Sequence, residues 1–266
     1  MKLFDCFMYN NEDLLLELRL NILDKMVFKF IIVESRFDHQ GNQKELKFKI
    51  EKFKLFQHKI KYLILDTFPK NLSNWERENY NRNFLSTGLE EAAPDDYIMI
   101  SDIDEIPKIN NKDIFKKKKF TSFRQNMFYY KFNLLNITEP YWFGSRACKK
   151  KHLKSPQKLR NKKFKKYPYW RFDKFIKYVN WNIIEDGGWH FSFLMDSADI
   201  RKKLLSFAHS EFSGEKFSSL KAIENKINQK KDLFERNYEY KKVEINELFP
   251  EYILQNKRKF EDFIVR

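Results

Sequence analysis

"DDYIMISDIDEIP", residues 95–107, sets a short apolar run, Tyr97 to Ile100, directly against three carboxylates, Asp102, Asp104 and Glu105, before Pro107 ends the pattern. The run reads as a strand covered on both faces, and the charge marks its carboxyl end. In extended chain, residues two apart project the same way, so Asp102 and Asp104 converge while Glu105 begins the turn. Two carboxylates held that close repel, and one takes up a proton unless a cation lies between them. Oxygen donors suit Mg²⁺ or Mn²⁺, and a site with few protein ligands leaves room for water and phosphate oxygens. The plainer reading is that the acids cap the turn.

Working outward, Lys2 to Met8 reads as a first strand, and Asn10 or Asn11 as the cap of a helix carrying Leu14, Leu15, Leu18 and Ile22 at helical spacing. "MVFKFIIVES" (26–35) is a second, doubly covered strand, "KELKFKIEKFKLF" (44–56) a second helix with Leu46, Ile50 and Phe53 on one stripe, and "IKYLILD" (60–66) a third strand. Ser73 to Gly88 is helical again and leads into the strand of the acidic cluster. This alternation predicts an α/β fold with a Rossmann-like, mostly parallel sheet flanked by helices, in which ligands bind beyond the carboxyl ends of the strands. Beyond Pro107 the chain turns β-rich, through "FTSFRQNMFYYKFNLLN" (120–136), "KFIKYVNWNII" (174–184) and "GGWHFSFLM" (187–195); helices resume in the tail. We therefore expect one domain over 1–266, with a nucleotide-binding half at 1–107, a β-rich half at 108–195 and a helical C-terminal extension at 196–266.

Composition narrows the function. The net charge of +15 points to an anionic partner, although few Gly and Pro (6 and 7) beside abundant Lys, Asn, Ile and Phe is also the signature of A+T-rich coding. The 28 Phe need a core or a partner, which excludes a disordered polyelectrolyte. Cys6 and Cys148 are too few for a disulfide framework or a zinc site. The amino terminus turns acidic before a signal-peptide core forms, and no apolar run reaches the ~18 residues of a membrane span. We expect a cytoplasmic protein, able to associate peripherally with an anionic membrane.

"WERENYNRNFLSTGLEEAAPDDYIMISDIDEIP" (75–107) resembles the glycosyltransferase pattern in which a helix bearing Arg-Asn precedes the strand of an Asp-x-Asp metal motif. Together with "LFDCFMYNNEDLLLELRLNIL" (3–23) and "FIIVES" (30–35), it is similar to the family 17 glycosyltransferases, the group of the β-1,4-mannosyl-glycoprotein β-1,4-N-acetylglucosaminyltransferases. The resemblance spans about residues 3–107 and continues more loosely to "GGWHFSFL" (187–194). It implies a GT-A fold, a UDP-sugar donor (UDP-GlcNAc in the animal members), Mn²⁺ and inversion at the anomeric carbon. It further implies that Asp104 binds the metal directly, and Asp102 the ribose or the metal through water. Animal members carry an N-terminal Golgi anchor; we expect none here, so the acceptor need not be an N-glycan, and the expected partner is a glycan or a lipid-linked saccharide.

Inverting transfer needs an in-line attack, a base for the acceptor proton and charge stabilisation on the departing diphosphate. "NIIEDGGWHFS" (182–192) supplies candidates: Asp186 or Glu185 as base, Gly187 and Gly188 for close backbone approach to the donor, and His190 as a metal or diphosphate contact. An ordinary strand histidine and a hairpin turn are the plain alternatives. On the helix before the metal strand, Arg77, Arg82 and Asn83 reach toward the donor; Arg82 has Glu78 as a competing i,i+4 partner. Met8 and Tyr9 end the first strand and Glu34 the second, where they face a base or ribose. The basic stretch from Cys148 to Lys177, and His209 with Glu211, are further candidates without an assigned role. Two rivals remain, a nucleic-acid-binding protein and a metal-dependent nucleotidyltransferase; acids clustered where a nucleic-acid cleft needs positive charge disfavour the first.

Overall fold

The computed structural model describes residues 1–163, 180–207 and 210–265. Strands β1 (Leu3–Met8), β2 (Lys29–Ser35), β3 (Ile60–Leu65), β4 (Tyr97–Ile100), β5 (Glu105–Pro107), β6 (Phe120–Phe123), β7 (Gln125–Tyr129), β8 (Leu134–Asn136), β9 (Tyr141–Trp142), β10 (Arg146–Lys149), β11 (Trp181–Ile184), β12 (Gly188–Ser192) and β13 (Tyr240–Lys242) build two sheets. The first runs β11-β6-β10-β4-β1-β2-β3, with β10 antiparallel to its neighbours and the other strands parallel; the second runs β13-β8-β7-β12-β5, with β9 paired to β7. The chain is thus mixed α/β, as its alternation predicts.

The central strands are apolar throughout because both faces are covered. Leu3, Phe4, Cys6 and Phe7 of β1, and Phe30 to Val33 of β2, are all buried. Asp5 interrupts this run, and it is tolerated because Arg19 of helix α1 (Asp13–Leu23) meets it with two hydrogen bonds, Nε to Oδ2 at 2.7 Å and Nη2 to Oδ1 at 2.6 Å.

Three expectations are corrected. Helix α1 is preceded by Glu12, not an asparagine; Asn11 lies at φ 70°, a left-handed conformation that ends the strand rather than caps the helix. The second helix shrinks to a 3₁₀ segment, Ile50–Lys59, kinked at Phe53. Its first residues are instead held open, since Glu34 accepts from the backbone N–H of Lys47 (2.8 Å) and Phe48 (3.1 Å), and Phe48 stacks on Tyr62. The tail is also no appendage: Phe249, Ile253 and Phe260 enter the main core with α1, and Tyr252 hydrogen-bonds to Glu17.

Helix α2 (Asn74–Phe84) starts at the expected place through a capping box between Ser73 and Glu76. Helices α3 (Pro156–Arg160) and α4 (Ser197–Ser206), the latter capped by Asp196, complete the surroundings of the acidic turn. Among the described residues no helix is long and apolar enough to cross a membrane.

Candidate active site

The turn from β4 to β5 is shaped from beneath and clamped from the side. Arg19 Nη1 donates to the carbonyls of Glu105 (2.6 Å) and Asp102 (3.2 Å), so the pair that neutralises Asp5 also anchors the backbone of the acidic cluster. Glu105 is buried, accepts from the Asp102 N–H at 3.0 Å, and receives both Arg160 guanidinium nitrogens at 2.5 Å. The Trp142 indole N–H also donates to it. Gly144 makes this junction possible, because a Cβ there would lie 1.8 Å from Glu105 Oε1.

Asp102 is equally committed. Arg160 Nη2 lies 2.6 Å from its Oδ2 and Arg82 Nη2 3.1 Å from its Oδ1, while the same Arg82 nitrogen lies 2.8 Å from Glu78. Burial opposes ionisation of Asp102, but the Arg160 and Arg82 charges win and hold its carboxyl well below the usual carboxylate range.

Asp104 differs because its contacts are loose. His190 Nε2 stands 3.7 Å from Oδ1 and Lys203 Nζ 3.7 Å from Oδ2; burial opposes ionisation of Asp104, but these neighbours, the Lys203 charge foremost, outweigh it and keep the pKa low. The carboxylate faces a cavity of about 590 Å³ at the carboxyl ends of β1, β2 and β4. Its lining includes Met8, Tyr9, Ser35, Phe37 and His39 from the β1 and β2 ends, and an aromatic group of Tyr129, Phe193, Phe212 and Phe234 with Arg236. Four buried polar atoms of lining residues, His39 Nδ1, Asn81 Oδ1, Arg82 Nε and His190 Nδ1, have no hydrogen-bond partner among the described residues. Buried polar atoms left in that state call for a ligand or ordered water.

Of the residues singled out from sequence, the structure brings Met8, Tyr9, Arg82, Asp102, Asp104, Glu105, His190 and Glu211 to this cavity. The others have different employment. Glu34 is buried against Lys44, Tyr62 and the 47–48 backbone, fixing the loop after β2. Arg77 donates to the His39 carbonyl at 3.2 Å and packs on Gly41, so it supports a wall without facing the cavity. Asn83 accepts from the Gln157 N–H and joins α2 to α3.

Glu185 and Asp186 project outward, paired with Arg124 at 2.6 Å and Lys108 at 2.5 Å, with side chains 65% and 70% exposed. Neither carboxylate lines the cavity, because the segment linking the two sheets turns both away from it, so the structure does not bring the expected base there. Gly187 and Gly188 serve that link: a Cβ on Gly187 would lie 2.5 Å from the Arg124 nitrogen, and Gly188, at φ 108°, would meet the Ile106 carbonyl at 2.3 Å. They let β12 cross onto β5 rather than forming a hairpin.

Sequence reasoning missed Glu12, Trp142, Arg160 and Lys203. Glu12 lines the cavity, and burial raises its pKa despite Lys203 nearby. Arg160 belongs to the basic stretch that reads as a loop, and only its partners reveal it. Elsewhere in that stretch Lys149 and Lys151 pair with Asp95, and Lys150 caps the carbonyls of Leu89 and Ala92. Residues 164–177 of the stretch and His209 lie outside the described residues, while Glu211 does line the cavity.

A divalent ion is compatible with this arrangement. Among the described residues no three or more His, Cys, Asp or Glu side chains gather as a metal cage. Yet an imidazole and a carboxylate 3.7 Å apart on a cavity wall suit a cation that takes its remaining ligands from water and phosphate.

A family model described as glycosyltransferase family 17 matches residues 1–261. The β-1,4-mannosyl-glycoprotein 4-β-N-acetylglucosaminyltransferases of Homo sapiens and Rattus norvegicus are each 35% identical over 108 residues, covering 37% of this chain and 20% of theirs. The Mus musculus counterpart is 34% identical over the same length. The chain therefore aligns with about a fifth of these relatives' length, and no solved structure gives a significant match.

Proposed function

The chain belongs to glycosyltransferase family 17, and from that membership we propose that it is a metal-dependent, inverting transferase of GT-A type. It moves a sugar, N-acetylglucosamine, from a UDP-sugar to a hydroxyl of a glycan or lipid-linked saccharide. The observation that carries this reading is the contrast within the acidic turn: Asp102 and Glu105 are consumed by guanidinium groups, while Asp104 alone of the three is held loosely and faces the cavity beside His190.

In this reading Met8, Tyr9, Ser35, Phe37 and His39 receive the nucleoside, and the aromatic group of Tyr129, Phe193, Phe212 and Phe234 with Arg236 receives the acceptor. Asp104 and His190 would hold Mn²⁺, which supplies Lewis-acid stabilisation of charge on the leaving diphosphate. Arg82 and Arg160 keep the turn in register by holding Asp102. Glu12 takes the acceptor proton in place of Glu185 or Asp186, since a carboxylate of raised pKa in the cavity is the better base near neutrality.

Titration calorimetry with UDP-GlcNAc, UDP-glucose, UDP and GDP-mannose, each with Mn²⁺ and with chelator, tests the proposal. Uridine-selective, Mn²⁺-strengthened binding supports it. Absence of any uridine nucleotide binding with Mn²⁺ refutes it.

A further inference from the structure

We propose that Lys203 is a diphosphate-binding residue of the donor site, contributed by α4 in the C-terminal part of the chain. This rests on the UDP-sugar reading above and adds a residue to it. Among the described residues, the lysine and arginine side chains lining the cavity are Lys44, Arg82, Lys203 and Arg236. Arg82 is bound to Glu78 and Asp102, Lys44 lies 3.2 Å from buried Glu34, and Arg236 lies 2.7 Å from Asp232. Lys203 is held differently. Its ammonium stands 3.7 Å from Asp104 Oδ2 and 3.9 Å from Glu12 Oε1, both longer than a hydrogen bond, with the Phe193 ring centroid at 5.4 Å.

That placement balances charge without using up the three N–H donors. An ammonium suspended between two carboxylates over an aromatic face can turn to a phosphate oxygen with little rearrangement, whereas both terminal nitrogens of Arg82 are already engaged, by Gln157, Glu78 and Asp102. Diphosphate seated beside Asp104 also brings negative charge to a wall that already carries two acids. A cation at Lys203 offsets that repulsion, since Lys203 faces Asp104 Oδ2 while His190 faces Oδ1 of the same carboxylate.

The test compares UDP with uridine, which lacks the diphosphate, on wild type, Lys203→Met, Lys203→Gln and Lys203→Arg, by calorimetry in chelator and in Mn²⁺. Loss of a charged hydrogen-bond donor weakens UDP by about tenfold or more in the Met and Gln variants, leaves uridine unchanged, and is largely restored by Arg. UDP binding by either neutral variant at wild-type affinity overturns the role of Lys203 while leaving the donor reading intact. Parallel loss of uridine binding also overturns it, because the side chain then only shapes the cavity. Wild type that binds no UDP removes the donor reading itself, and the inference with it.

Discussion

Arg160 and Asp102 lie 58 residues apart in the chain, yet the Arg160 Nη2 donates to Asp102 Oδ2 at 2.6 Å, and the same guanidinium grips both oxygens of Glu105. Three carboxylates after one strand are therefore tolerable because one arginine from another part of the chain answers two of them. Removing it as Arg160→Met leaves Glu105 buried and unpaired, so we expect a loss of about 3–5 kcal/mol. Urea unfolding measures it, and a double cycle with Glu105→Gln should recover part of the loss; strict additivity of the two changes would contradict a shared contact.

Asp104→Asn should abolish transfer, by about two orders of magnitude or more, while the fold survives, since its contacts with His190 and Lys203 are long. Product formation with Mn²⁺ reads the first half and thermal melting the second. Wild-type turnover in this variant contradicts the metal role.

Glu12→Gln should suppress turnover while UDP binding persists, whereas Glu185→Gln and Asp186→Asn, exposed and outside the cavity, should turn over like wild type. Activity lost in either exposed variant returns the base to the Gly-Gly segment.

Arg19→Met strips fully buried Asp5 of the guanidinium that pairs with it and releases the carbonyls of the acidic turn. About 3–5 kcal/mol of stability should go. Arg19→Met/Asp5→Leu, which removes both charges, should be less damaging than the single change, as chemical denaturation would reveal.

His39 gives stability a pH dependence above the carboxylate range. Burial lowers its pKa, outweighing the Glu78 carboxylate, so the folded chain keeps the imidazole neutral where the unfolded chain protonates it. The unfolded form thus binds more protons below about pH 6.5, and stability falls as pH drops through that point toward the lowered value. Asp102 and Asp104, with depressed pKa values, add their own loss only below about pH 4. Denaturation midpoints at pH 7.5 and 5.5 should differ more in wild type than in His39→Gln; equal differences would exclude His39 as the source.

How much of this was legible in the sequence depended on whether the cause was local. The apolar runs of β1, β2 and β4 and the Ser73 capping box announce themselves, because burial on both faces and helix capping act within a few residues. Asp102 and Asp104 were visible for the same reason. Arg160, Lys203 and Glu12 were not, since each is ordinary among its sequence neighbours and acquires meaning only from partners brought by the fold. Glu185 and Asp186 misled because a Gly-Gly pair next to acids looks alike whether it cradles a ligand or lets two sheets cross.

The cavity takes its walls from Met8 through Arg236, and β4 gains its second neighbour only when Arg146–Lys149 pairs with it. On a ribosome, which releases roughly 5–20 residues per second from the amino end, the acidic turn emerges long before Arg160 can neutralise it or Lys203 can reach Asp104. A nascent chain stopped near residue 107 therefore presents an unpaired strand edge and uncompensated carboxylates. On the donor-binding reading proposed above, chains truncated before Lys203 and Arg236 lack part of the cavity wall and should not retain a nucleotide sugar.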